Sequence, residues 1–369
     1  MKSFKILILI IIVATIVLGF KFTKNPKQTG GKTIQIGAVL NLTGTFADQG
    51  ENSQRGMQIA IEEINNKGGV LDSKIKAVYQ DNLGDNPSGA ISAVHNLNIQ
   101  NIRLIIGPNL TPSANVLAPL AEKENIVLIA PSVGSEKFVE LSSRTFNIFP
   151  PSKFDSFALA EYLYSDKGFR KIAIFGSQQE WEMGQALFVK QRFEELGGQV
   201  TSVQLPTVDN LDLRLESLKI KDGNPDAIVF TNYGETAVAA RRLRELKVQA
   251  PFFSLPLFEE KITAAAGALE GTIFVSTDTM NEEFNAKFES KYKKAPGFPA
   301  SQAYDAVYLM AKAINDSQST DPKVIAEALS KIKEFKGASG DFTFDKDRNA
   351  HKKVNYYEVK NSKVMPLVK

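Results

Sequence analysis

The 369-residue chain contains no cysteine, only two histidines and a single tryptophan. The missing cysteines exclude disulfides, thiolate metal sites, a nucleophilic thiol and cysteine-linked lipidation together, so any membrane attachment must come from the peptide itself. His95 and His351 lie far apart amid polar residues and read as solvent-facing, and no histidine pair stands at metal-ligand spacing. There is no Gly-x-Ser-x-Gly nucleophile elbow. The acid pairs Glu62-Glu63, Glu194-Glu195 and Glu259-Glu260 are adjacent, so their members point in different directions around a helix and read as solvated faces. These absences argue against an enzyme, and neither metal nor cofactor is expected.

Excess charge is also lacking once its position is considered. The formal net charge is +3, from 44 Lys and Arg against 41 Asp and Glu. Five of those bases, Lys2, Lys5, Lys21, Lys24 and Lys27, precede Lys32 with no acid among them, leaving 39 bases against 41 acids. A body at −2 has no electrostatic footprint for DNA or RNA. With 43% hydrophobic and 23% charged residues the composition is that of a globular protein. Its length exceeds one ordinary core, so two lobes are expected.

The one long apolar run is Ile6 to Phe20, preceded by Lys2 and Lys5 in the order of an export signal. Fifteen helical residues reach about 22 Å, short of a hydrocarbon core of about 30 Å. Val17-Leu18-Gly19 is the best cleavage candidate, and an uncleaved anchor is the alternative. Lys24 to Lys32 is polar, holds Pro26, Gly30 and Gly31, and reads as a tether. An extracytoplasmic location follows.

From Thr33 onward, short β-branched runs alternate with amphipathic helical segments, the pattern of βαβ units and parallel sheets. Thr33–Leu40 is the first strand. A helix from about Glu51 to Asn66 carries Met57, Ala60, Ile61 and Ile64 on one face and stops at Gly68-Gly69. Alternation fills one lobe by about Phe149, Pro150-Pro151 marks a crossing, and a second lobe begins with a Phe154–Tyr164 helix and a Lys171–Phe175 strand. After Thr277, helical stretches at Glu282–Lys293, Ala300–Ile314 and Pro322–Leu329 with few strands between them read as cover for the first sheet.

Strand Ile36–Leu40, Leu42-Thr43-Gly44, the run Gly56-Met57-Gln58-Ile59-Ala60-Ile61-Glu62-Glu63-Ile64-Asn65-Asn66-Lys67-Gly68-Gly69, a strand ending in Asp81, then Gly107-Pro108 and Ala130-Pro131-Ser132 together resemble the type I periplasmic binding proteins of the leucine/isoleucine/valine-binding family, which serve ABC importers. No single motif is diagnostic; their co-linearity over residues 33–369 carries the likeness. It implies an α/β fold of two doubly wound parallel-sheet lobes joined by a three-strand hinge, with crossings near Ile148–Pro151, Val275–Asp278 and Asp345–Lys352. The expected division is 1–32 signal or anchor plus linker, 33–148 with 278–345 as lobe 1, and 149–277 with 346–369 as lobe 2.

In doubly wound sheets ligands sit beyond the carboxyl ends of strands, where helix N-termini offer N–H groups. Thr111, followed by Pro112, reads as the N-cap of a helix there. The resemblance implies a solute-binding cleft at Gln49, Leu110, Thr111, Ser132, Val133, Gly134, Trp181, Tyr233 and Leu257. Thr111 takes the carboxylate-binding place, the Ser132–Gly134 loop the ammonium-binding place, and Trp181, in a polar loop, and Tyr233 supply aromatic walls. Three positions depart from that pattern: the acid that should pair the ammonium falls near Pro256-Leu257, a hydroxyl falls on Gly134, and an aromatic falls on Gln49. Strict branched-chain amino-acid specificity is therefore not expected. The implied partners are a small-molecule ligand, an amino acid or related carboxylate or amide, and ABC permease subunits, with the chain a monomer. A sensor module presenting its closed form to a membrane receptor is the alternative, and a repressor lacks its helix-turn-helix.

Overall fold

The computed structural model describes residues 32–367 apart from 136, 209, 233, 256 and 278–280. The N-terminal apolar run and Tyr233 lie outside the described residues.

The first lobe runs β1 (Thr33–Leu40), α1 (Ala47–Asn66), β2 (Lys74–Asp81), α2 (Pro87–Ile99), β3 (Leu104–Ile106), α3 (Thr111–Lys123), β4 (Val127–Ala130), α4 (Lys137–Glu140) and β5 (Thr145–Asn147). Its sheet has the order β2-β1-β3-β4-β5 with every pairing parallel. Strands buried on both faces need no alternation, which is why β3 and β4 are continuous apolar runs. The chain then builds a second lobe from α5 (Ser152–Glu161), β6 (Lys171–Phe175), α6 (Glu180–Glu195), β7 (Gln199–Gln204), α7 (Arg214–Asp222), β8 (Ala227–Phe230), α8 (Thr236–Glu245), β9 (Phe252–Ser254), α9 (Glu259–Ala264) and β10 (Ile273–Ser276).

It returns with α10 (Glu282–Tyr292), α11 (Ala300–Ser317), α12 (Pro322–Ser330), β11 (Phe342–Phe344) and β12 (Ala350–Lys352), and ends in β13 (Asn355–Lys360) and β14 (Lys363–Pro366). The second sheet reads β14-β13-β10-β9-β8-β6-β7. Its strands β6 to β10 are parallel in the winding of the first sheet, with β7 at the edge, while β13 pairs antiparallel with β10 and β14 with β13.

The stripe Met57, Ala60, Ile61 and Ile64 packs under the first sheet together with Ala303, Val307, Met310, Ile325 and Leu329, so the late helices do cover it. Gly56 permits this contact: a Cβ there would lie 1.9 Å from the Ala300 carbonyl oxygen. Phe342 and Ala350 join the same core, and the third passage between lobes follows Lys352. Asp305 fixes that region from inside. Its carboxylate accepts from Ala338 N (2.7 Å), Ser339 N (2.8 Å) and Ser339 Oγ (2.6 Å), while Lys352 Nζ donates to Ser339 Oγ at 2.7 Å.

Glu63 is not the solvated face its pairing with Glu62 suggested. Tyr304 and Tyr308 both donate to its Oε2 at 2.7 Å and Lys287 lies 2.9 Å from Oε1, because α10 and α11 lie over α1. Burial pushes this carboxyl up, but those bonds outweigh it and its pKa falls below the usual range. His95 and His351 are exposed as read. Among the described residues no helix is long and apolar enough to cross a membrane.

Candidate functional site

The carboxyl ends of the parallel strands of both sheets open toward one another, and the lobes touch there. Asn115 on α3 donates to Glu180 Oε1 on α6 at 3.0 Å, and Phe258 meets Phe298 with ring centroids 5.2 Å apart.

The floor on the first lobe is a closed polar network. Asn109, fully buried beyond β3, donates to Asn41 Oδ1 and to Ser53 Oγ, both at 3.0 Å. Ser132 Oγ donates to the Asn109 carbonyl at 2.9 Å. Asn147 Nδ2 donates to the Val133 carbonyl at 2.6 Å, and the Gly134 carbonyl accepts from Ser152 N (3.1 Å) and Ser152 Oγ (3.0 Å). Each of these bonded groups thus finds its partner inside the protein.

The α3 terminus differs from expectation. Leu110, in extended conformation, is the N-cap and makes no side-chain cap bond; Thr111 and Pro112 form the first helical positions. Proline is tolerated throughout that first turn, so Pro112 did not place the cap uniquely. The Ser113 N–H instead donates to Asp85 Oδ1 at 3.1 Å, and Asn82 Nδ2 holds Ser113 Oγ at 3.1 Å. Burial, with the Glu180 charge from the other lobe adding to it, pushes the Asp85 carboxyl up to about 6 against the pull of Ser113.

Trp181 is likewise not in a loop. Gln179 caps α6 by accepting from Trp181 N (2.7 Å) and Glu182 N (3.1 Å), which carries the tryptophan into the first helical turn. Its indole lies against Gly134 of the other lobe: a Cβ on that glycine would fall 2.0 Å from Cδ1 and 2.3 Å from Nε1. Phe149 packs edge-on to Trp181 at 6.4 Å and to Phe298 at 5.5 Å, so a row of rings crosses the cleft. Beyond Phe298 lies a cavity of about 560 Å³ lined from both lobes, by Asn52, Gly297 and Phe298 on one side and Leu257, Phe258 and Phe274 on the other. A groove of about 600 Å³ between α11 and α12 lies on the surface away from the strand ends.

Several polar atoms at this junction are buried without a hydrogen-bond partner: Gln49 Oε1 and Asn52 Oδ1 on α1, Trp181 Nε1 on α6 and Asn232 Nδ2 beyond β8. Such atoms are costly unless something fills them.

Of the residues singled out in the sequence, Gly134 and Trp181 are in direct contact and Leu257 lines the cavity. Leu110, Thr111, Ser132, Val133 and Gln49 are buried around the floor. Phe149, Phe298, Asn52 and Asp85 were missed. Phe298 had a signal in Pro296-Gly297-Phe298-Pro299, a punctuated segment that can be neither helix nor inner strand; Asp85 had none.

The family model described as periplasmic binding protein matches residues 33–363. The leucine-, isoleucine-, valine-, threonine-, and alanine-binding protein of Pseudomonas aeruginosa is 27% identical over 329 residues, covering 85% of this chain and 86% of its own. Among solved structures, a leucine-binding protein LivK from Thermotoga maritima superposes with a TM-score of 0.82 at 26% identity, covering 91% of this chain and 98% of its own. The branched-chain amino acid transporter substrate-binding protein LivJ from Streptococcus pneumoniae, in complex with isoleucine, gives 0.81 at 25% identity, covering 90% and 98%.

Proposed function

This chain belongs to the periplasmic binding protein family, and on that premise we propose that it captures a small solute between its two lobes as the extracytoplasmic substrate-binding component of an ABC transporter. The observation that carries this reading is the junction of the lobes, where strand ends of both sheets, a row of aromatic rings and buried polar atoms without partners converge on one region. Such a place can hold a ligand and does little chemistry.

The wall comprises Gln49, Leu110, Thr111, Ser132, Val133, Gly134, Trp181 and Leu257, and the family resemblance adds Tyr233 to that set. The solute is an amino acid or a related carboxylate or amide, the class to which the names of the relatives point. Each interlobe contact forms only when the lobes are together, so a solute that bridges them shifts the population toward the closed form. Permease subunits in the membrane read that form. One chain supplies every group involved, so a monomer suffices. The lysines and apolar run at the N-terminus support export.

Isothermal calorimetry against amino acids, aliphatic amides and carboxylic acids tests this, paired with small-angle scattering. A binder that shrinks the radius of gyration is expected; silence across a broad metabolite panel refutes the reading.

A further inference from the structure

The cavity beyond Phe298 stands apart from the wall assigned to the solute, with which it shares only Leu257 among the described residues. At about 560 Å³ it has the size of a small-molecule site, and both lobes line it. Much of its apolar lining is aromatic. Phe258 meets Phe298 from the opposite lobe at 5.2 Å, and Phe274 stacks on Tyr357 with centroids 5.3 Å apart and planes at 23°.

The charged groups that line it are unequal. Four are acids, Asp48 on α1, Glu259 and Glu260 in the first turn of α9 and Glu289 on α10, against one base, Lys294. That base is held by Glu51 at 3.5 Å, while Glu260 lies 3.8 Å from Lys261. Glu259 from the second lobe and Glu289 from the first are exposed, so they form a rim that a carboxylate solute must pass.

An acidic rim alone would be solvated surface; Asn52 sets this one apart. It lines the same cavity at 4% exposure, and its Oδ1 is buried without a hydrogen-bond partner. Its Nδ2 donates to the Phe298 carbonyl at 3.3 Å, which fixes the amide as nitrogen toward the loop and leaves the oxygen as an unmet acceptor. Gly297 closes over this side chain, since a Cβ there would fall 2.3 Å from Nδ2. Asp48 stands one turn earlier on the same face of α1. The cavity thus calls for an N–H donor, a positive charge and an apolar body, which a protonated amine on a hydrocarbon supplies together.

We propose that this interlobe cavity is a second binding site, selective for an organic ammonium ion with an aryl or branched-alkyl body and no carboxylate. The ammonium N–H reaches Asn52 Oδ1, its charge is met by the acids of both lobes, and its body lies against Phe258, Phe274 and Phe298.

Two matched triads at pH 7 test it on the full chain by calorimetry: 2-phenylethylammonium, 2-phenylethanol and 3-phenylpropanoate; 3-methylbutylammonium, 3-methylbutan-1-ol and 4-methylpentanoate. In one triad or more the ammonium ion is expected to bind at least tenfold tighter than both partners. An alcohol or carboxylate that matches its ammonium in both triads, or silence of all six compounds, overturns the inference and leaves the solute reading untouched. Trimethyl(2-phenylethyl)ammonium keeps the charge and loses the N–H, so it should bind at least threefold more weakly than 2-phenylethylammonium; equal affinity takes the ion away from Asn52 and refutes the assignment. Changing the exposed pair together, Glu259→Gln with Glu289→Gln, should lower ammonium affinity about fivefold and leave alcohol binding unchanged. Unaltered ammonium affinity there refutes the role of the rim. Trp181→Ala alters the solute wall and not this cavity, so the ammonium ion should bind it within about threefold of the unchanged chain. Loss of ammonium binding in that variant places the ion in the solute cleft and overturns the second site.

Discussion

Replacing Gly134 by alanine adds one methyl group at the point where the lobes touch. That carbon would fall 2.0 Å from Trp181 Cδ1, whereas ordinary contact begins at 3.4 Å. The Ser152 hydroxyl at 2.5 Å can rotate aside, but the indole is held by its own helix and by Phe149. The ring must therefore withdraw, and the lobes with it. Overpacking of this kind costs about 1–3 kcal/mol. Only the closed form carries that cost, because with the lobes apart Trp181 is not beside residue 134. The closed-to-open ratio should fall by about 5- to 150-fold, and solute affinity with it.

The unfolding temperature of the unliganded protein should move little, since neither lobe core contains residue 134. The assay is the emission maximum of Trp181, which should shift to the red as the indole loses Gly134 and Phe149, together with calorimetric affinity for whichever solute binds. On a Trp181→Ala background the same substitution should be nearly neutral, a coupling of about 1–3 kcal/mol read by calorimetry. Additive effects of the two changes, or unchanged emission and affinity in Gly134→Ala, would refute the steric reasoning.

Asp85 makes the structure sensitive to pH. Its folded pKa is raised, from 3.8 to about 6, so the folded state holds the extra proton. This contribution is greatest below pH 4 and is lost as pH rises through about 6, roughly 1–3 kcal/mol after allowance for screening at the cleft mouth. Denaturant midpoints measured from pH 4 to 7.5 should decline less in Asp85→Asn, and an identical profile would show that Asp85 is not the group responsible. Gly56→Ala should destabilise the first lobe by about 1–3 kcal/mol through conflict with the Ala300 carbonyl, seen as a lower melting temperature. Asp305→Ala strands two buried N–H groups and the Lys352 ammonium and should cost about 3–5 kcal/mol in urea unfolding; a loss below 1 kcal/mol would mean that water replaces the carboxylate.

The strands were legible because their physical demands are local. β1 and β6 run over the residues that the patterning picks out, since the inner part of a strand covered on both faces is continuously apolar and polar residues mark its ends. Helix starts were less visible. α1 begins at Ala47, before the apolar stripe, because its first turns bury Gln49, Asn52 and Ser53 against polar loops instead of a core. Gly50 looks like a helix breaker, yet a Cβ there would strike the Asn41 carbonyl at 2.2 Å, so glycine is what close packing demands. The β13–β14 hairpin went unread because its turn is Asn361-Ser362, both at positive φ, without the glycine that usually marks such a turn.

The cleft was legible in position but not in chemistry, and the two have different physical sources. Position follows from topology: any doubly wound sheet of this order directs its loops to one edge, whatever the loop residues are. Chemistry depends on which loop atoms are already bonded to each other. Ser132 seems available as a ligand hydroxyl until Asn109 is seen to take its proton, and the α3 terminus seems an open anion site until Asp85 is seen to occupy it. Asp85 lies in the loop after β2 and Ser113 in the first turn of α3, as Gly134 and Trp181 belong to different lobes, so no local pattern connects either pair. Substituting the groups that a relative uses therefore says little about what this cleft accepts. The informative atoms are those the protein leaves unbonded, Gln49 Oε1 and Asn52 Oδ1 among them.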